Sequence, residues 1–102
     1  MKKIRKRYLL FKLHRDGPPI DSKRLVTAIR ESLLSLYGEV RVADSKIFLN
    51  DYDDESGQGI IQCSADLLDC VISATAVLAS IDDTHISFEP KKTSGTLKGL
   101  KR

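Results

Sequence analysis

The chain has 102 residues, 41% of them apolar and 30% charged, with a net charge of +3. That length supports one domain whose core buries roughly 60 to 65% of the unfolded surface, and the composition excludes fibrous and disordered classes. Residues 1 to 15 hold seven Lys or Arg and no acid, residues 89 to 102 hold five and Glu89, and the middle holds five against thirteen acids. This asymmetry points to an electropositive surface for a polyanion on an acidic body.

The first element is Arg7-Tyr8-Leu9-Leu10-Phe11-Lys12-Leu13-His14, where Leu9, Phe11 and Leu13 alternate to one face until Asp16-Gly17-Pro18-Pro19 stops the run. It reads as a central strand. Asp21 or Ser22 caps a helix over residues 22 to 37, whose Leu25, Ile29, Leu33 and Leu36 form an apolar stripe and whose stop is Gly38. Val40 and Val42, then Ile47 and Leu49, predict a second strand bent near residues 43 to 45. An acidic turn over residues 50 to 57 leads to a third strand, Gly59-Ile60-Ile61-Gln62-Cys63. Ser64 or Asp66 caps a second helix with Leu67, Val71, Ala74, Leu78 and Ile81 on one stripe, widened by Leu68, Ile72, Thr75 and Ala79. A stripe that broad implies more than one contact. The last strand spans residues 84 to 89, with Ile86 and Phe88 inward, and Pro90 ends it.

The order βαββαβ predicts an α+β fold, the ferredoxin-like sandwich with RRM-like topology. Two helices cover one face of a four-stranded antiparallel sheet of order 4-1-3-2. The expected domain is residues 1 to 102, with a basic N-terminal arm at 1 to 7 and a basic tail at 90 to 102. In this topology the start of the first strand meets the end of the last, so the two basic runs become one patch and the acidic turn lies at the opposite end. Tyr8 is the one aromatic placed to face outward on the first strand and the third strand has none, so base stacking on the open face is disfavoured. Phosphate contacts are expected instead.

The remaining motifs exclude more than they assign. Asp51, Asp53, Asp54 and Glu55 lack the sixth and twelfth positions of a Ca²⁺ loop, which are Ser56 and Gln62 here, so they read as a solvated hairpin. His14 and His85 stand beside no recognisable nucleophile motif, and neither a catalytic residue nor a metal site is assigned. Cys63 and Cys70 fit no zinc or redox spacing and read as reduced packing residues. Residues 67 to 81 are too short for a bilayer span and are interrupted by Asp69. Lys2, Lys3, Arg5, Lys6 and Arg7 abut a strand pattern without a cleavage site, so a cytoplasmic protein with no membrane association is expected.

Together, Arg7-Tyr8-Leu9-Leu10-Phe11-Lys12, the Gly59 to Cys63 segment before the second helix, and Ser94-Gly95-Thr96-Leu97-Lys98 resemble the small ferredoxin-like subunit, the second protein component, of archaeal and eukaryotic ribonuclease P. The resemblance covers nearly the whole chain in order and spacing. One departure is Gln62, a position commonly basic in that family. The resemblance implies a noncatalytic subunit that binds ribonuclease P RNA and supports removal of the 5′ leader from precursor tRNA. No cofactor would be bound by the protein, because Mg²⁺ acts through the RNA subunit. Implied partners are that RNA, precursor tRNA and a TIM-barrel protein subunit, with two copies of each protein in a heterotetramer. The RNA-binding candidates are Lys3, Arg5, Lys6, Arg7, Lys12, Lys91, Lys92, Ser94, Thr96, Lys98, Lys101 and Arg102. Competing readings are another small RNA-binding protein of ribosomal or RNA-chaperone type, and a small enzyme or ligand sensor on the same fold.

Overall fold

The computed structural model describes residues 5–40 and 46–100. Expectations for Lys2, Lys3, Val42, the bend at residues 43 to 45, Lys101 and Arg102 fall outside them. In chain order the elements are β1 (Lys6–Asp16), α1 (Ser22–Tyr37), β2 (Phe48–Asn50), β3 (Gln58–Ser64), a 3-10 turn (Ala65–Leu67), α2 (Leu68–Ala76), β4 (Ser80–Ile81), β5 (Thr84–Ser94) and α3 (Leu97–Leu100). The strands form one antiparallel sheet of order β2-β3-β1-β5-β4.

The α+β architecture and the relative order of the four expected strands hold, but the sheet has five strands. The extra one, β4, uses Ile81, which helical periodicity places on the apolar stripe. Asp82 and Asp83, at φ 48° and 69°, form the two-residue loop joining β4 to β5. Two consecutive positive φ angles give this hairpin a twist that matches its strands. The hairpin draws residues 79 to 81 away from α2, which therefore ends at Ala76. Nor does a side chain cap that helix: the chain passes Ser64 in extended conformation and enters through the 3-10 turn. Leu68, Ile72 and Leu78 pack against the domain's own core, so most of the wide stripe is accounted for internally.

Pro90 does not end the last strand, which runs on to Ser94. It sits at a register shift where Phe11 pairs with Pro90 but Leu10 pairs with Lys92. A bulge tolerates proline because the ladder is already interrupted there. The second strand is also shorter than expected. Val40 lies outside it and is 74% exposed.

Asp21 caps α1, its carboxylate accepting the Arg24 backbone N–H at 2.8 Å, and Gly38 at φ 90° closes it, its N–H donating to Leu34 O. Leu25, Ile29 and Leu33 of α1 meet Leu9, Phe11 and Leu13 of β1, Ile61 and Cys63 of β3, and Val71 and Ala74 of α2 in a single core. The Ser32 hydroxyl donates to Ala74 O at 2.7 Å and ties the two helices together. Phe11 is the centre of the core. Its ring stacks on Phe88 at 4.5 Å between centroids and lies 6.1 Å from Tyr52. Gly59, opposite Phe11, leaves room for these rings, since a Cβ there would stand 2.9 Å from Tyr52 and 3.0 Å from Phe11. Burial, then the nearby Asp54 carboxylate, raise the Tyr52 phenol pKa; the phenol donates to Ile20 O at 2.6 Å. Burial also pushes the Cys63 thiol up to about 11, which suits a neutral packing residue.

Candidate nucleic-acid interface

The basic segments meet because β1 and β5 are antiparallel neighbours. Tyr8 pairs with Ser94 and Leu10 with Lys92, so the start of β1 lies beside the end of β5. Arg7 reaches across this junction: a Cβ placed on Gly95 would be 3.5 Å from its guanidinium. On the other side, Arg5 O accepts the Ala65 N–H at 2.9 Å, which fixes the entry of β1 against the turn preceding α2. Arg5, Lys6, Arg7, Lys91, Lys92 and Lys98 are all exposed.

Not every candidate joins this group. Lys12 pairs with Gln58 and Glu89, six residues along β1 from Lys6 and therefore about 20 Å away. Lys91 shares Glu89, with Nζ 3.5 Å from Oε2. Glu89 also receives His14 Nε2 at 2.6 Å, and this hydrogen bond, with Lys91 nearby, lowers its pKa. A charged carboxylate thus offsets part of the basic surface at Lys91. The acidic turn is only partly where it was expected: its Gly57 end lies at the far end of β1, but Asp51 and Asp53 border the same cavity as Leu100 of the basic tail. Leu13 N–H donates to Gly57 O at 2.7 Å, while Asp53 accepts the Glu55 N–H at 3.0 Å.

The Ser94-Gly95-Thr96 segment has a local structural task. Ser94 Oγ accepts the Thr96 N–H at 3.2 Å and Thr96 Oγ1 accepts the Gly99 N–H at 3.1 Å. Thr96 is therefore the cap of α3. Both hydroxyls are used as acceptors, which leaves each O–H able to donate to a phosphate oxygen. The basic tail thus continues past β5 as a short helix, Leu97–Leu100. α3 lies over the sheet face opposite α1 and α2, where buried Leu100 lines a cavity of about 530 Å³ with Leu10, Ile60, Asp51 and Asp53. Sequence reasoning also missed Phe48, which stands 58% exposed on that same face. The signal was the alternation of Ile47, Phe48 and Leu49: if the flanking aliphatics point inward, the phenyl points out.

Among the described residues no group of His, Cys, Asp and Glu is arranged to hold a metal ion, and no helix is long and apolar enough to cross a membrane. A concavity of about 570 Å³ lies between α1 and the α2–β4 connection, bordered by Leu36, Val77 and Leu78.

Comparison with known proteins gives a consistent result. The sequence model described as the Rpp14/Pop5 family matches residues 7–102. A "Ribonuclease P protein component 2" of Archaeoglobus fulgidus is 34% identical over 98 residues, covering 96% of this chain and 86% of the relative. The protein of the same name from Methanosphaerula palustris is 33% identical over 98% of this chain, which spans 61% of that relative's length. The "Ribonuclease P/MRP protein subunit POP5" of Saccharomyces cerevisiae is 30% identical over 97% of this chain and 60% of its own. Among solved structures, a chain in "Cryo-EM structure of yeast Ribonuclease MRP" superposes with a TM-score of 0.75 at 14% identity, covering 95% of this chain and 79% of that one. At that identity the likeness concerns the fold.

Proposed function

The chain belongs to the Rpp14/Pop5 family, and from that premise we propose that it is a noncatalytic protein subunit of ribonuclease P. It binds the catalytic RNA and supports removal of the 5′ leader from precursor tRNA. The observation that carries this reading is the junction of β1 and β5, where Arg7 lies against Gly95 and Lys92 stands opposite Leu10. Cations from the two ends of the sequence gather there at one end of the β1–β5 pair, Arg7 on the side of the helical layer and Lys6 and Lys92 on the open face. Such a surface positions a phosphate backbone but reads little sequence, which suits a protein that stabilises a folded RNA.

The fold is ferredoxin-like, elaborated by β4 and α3. The chemistry belongs to the RNA and its Mg²⁺ ions, and the protein acts by binding and orienting. A TIM-barrel subunit is the protein partner. Leu34, Leu36, Tyr37 and Val77 on the helical layer are exposed apolar residues of the type that protein interfaces bury. The assembly works in the cytoplasm. In filter binding at fixed salt, the chain should hold ribonuclease P RNA more tightly than an unrelated structured RNA of equal length. Equal affinity for the two would favour a general RNA-binding protein instead.

A further inference from the structure

Base stacking on the open face is disfavoured by the sequence of the two central strands, but the edge strand β2 adds a ring to that face, Phe48. Directly paired residues of neighbouring strands share a face. Phe48 pairs with Gln62, Gln62 with Tyr8, and Tyr8 with Ser94, so these four form one row across β2, β3, β1 and β5. The neighbouring row of Asn50, Ile60, Leu10 and Lys92 is partly covered by Leu100. The Phe48 row is more open: the phenyl is 58% exposed, and Gln62 and Tyr8 are half-buried.

Two strand spacings separate Phe48 from Tyr8, about 10 Å, with Gln62 between them. Lys6 and Lys92, each two residues before a member of the row on its own strand, lie on the same face. Rings at this spacing, bordered by cations and interleaved with polar groups, accept unpaired bases on the aromatic planes and the connecting phosphates on the cations. A protein-docking patch would need more apolar area than two aromatic rings beside Gln62, Ser94 and two lysines.

We propose that the Phe48–Gln62–Tyr8 row is a stacking platform for two unpaired nucleotides of a single-stranded RNA segment, with the Gln62 amide hydrogen-bonding to base edges. The proposal rests on the reading of the chain as an RNA-binding subunit and adds a nucleotide class to it: unpaired bases, engaged on the open face beside the phosphate-binding junction. Phe48 supplies the outer ring and Tyr8 the inner one. Gln62 has an acceptor already engaged by Asn50 Nδ2 at 3.4 Å, and its amide can both donate and accept.

The test uses the full chain, a labelled eight-nucleotide oligouridylate and a labelled RNA duplex, with affinity read by fluorescence anisotropy over a salt series. Phe48→Ala should weaken oligouridylate binding roughly tenfold with the salt slope unchanged, because no phosphate contact is lost. Duplex binding should stay the same, and Phe48→Tyr should retain wild-type affinity. Wild-type affinity of Phe48→Ala for oligouridylate overturns the platform. An equal loss on duplex and single strand overturns it too, as does unchanged RNA binding accompanied by loss of self-association in sedimentation, which would make Phe48 a protein contact. Failure of the unaltered chain to bind either RNA is a separate outcome, and it removes the RNA-subunit reading itself.

Discussion

Replacing Lys91, Lys92 and Lys98 together with alanine is expected to lower the magnitude of the salt slope of RNA binding by about 2 to 3 units. Each cation in contact with a phosphate releases close to one counterion, so the slope counts contacts without regard to sequence. The lower figure applies if Glu89, 3.5 Å from Lys91 Nζ, already neutralises that lysine. At 0.1 M salt such a change corresponds to roughly 10²- to 10³-fold weaker binding, the largest functional effect foreseen for a surface change in this domain. Lys23, exposed on α1 in the opposite layer, is the control, and its alanine variant should leave the slope alone. An unchanged slope in the triple variant would mean that the end of β5 and α3 touch no phosphate.

Phe11→Ala is expected to have the largest effect on stability, about 3 to 5 kcal/mol. The side chain is fully buried and stacked on Phe88 with Tyr52 nearby, and the β1 and β3 backbones around it are held by the ladder, so the site has little freedom to collapse into the void. For a domain of this size the loss would be a third or more of a typical total stability. Urea unfolding followed by circular dichroism checks this: the midpoint should fall sharply with the slope against denaturant unchanged. A loss below about 1 kcal/mol would show that the ring stack is not the centre of the core.

How far the sequence could be read depended on whether local pattern and tertiary context agreed. They agreed for β1, where the alternation of Leu9, Phe11 and Leu13 becomes the buried face, and for α1, whose cap and stop are Asp21 and Gly38. They disagreed at residues 77 to 81. There helical periodicity continues through Leu78 and Ile81, yet the chain spends those residues on a hairpin turned by Asp82 and Asp83, a pair far less suggestive of a turn than Asn-Gly. Pro90 misled for a related reason: proline ends most strands, but a bulge lets this one continue to Ser94.

The candidate site was legible where topology alone decided it. Antiparallel pairing of the first and last strands was enough to bring Arg7 to Gly95. It could not reveal that Glu89 would take up part of the charge of Lys91, because that contact depends on side-chain reach across the bulge. The Ser94-Gly95-Thr96 segment was recognisable as a motif before its physical role was visible. Its hydroxyls cap a four-residue helix that returns Leu100 to the sheet. Phe48 was not legible as a site residue because a three-residue edge strand carries little alternation of its own, and its exposed ring stands on that strand, β2.

If this chain supports leader removal by an RNA catalyst, as proposed, it should change what that catalyst requires of Mg²⁺. The most direct measurement is a Mg²⁺ titration of that reaction with the cognate ribonuclease P RNA, alone and with this chain and the proposed TIM-barrel partner added. The proteins should lower the Mg²⁺ concentration required for half-maximal cleavage, since cations on the protein replace part of the charge screening that metal supplies to the folded RNA. An identical Mg²⁺ requirement with and without the proteins would contradict it.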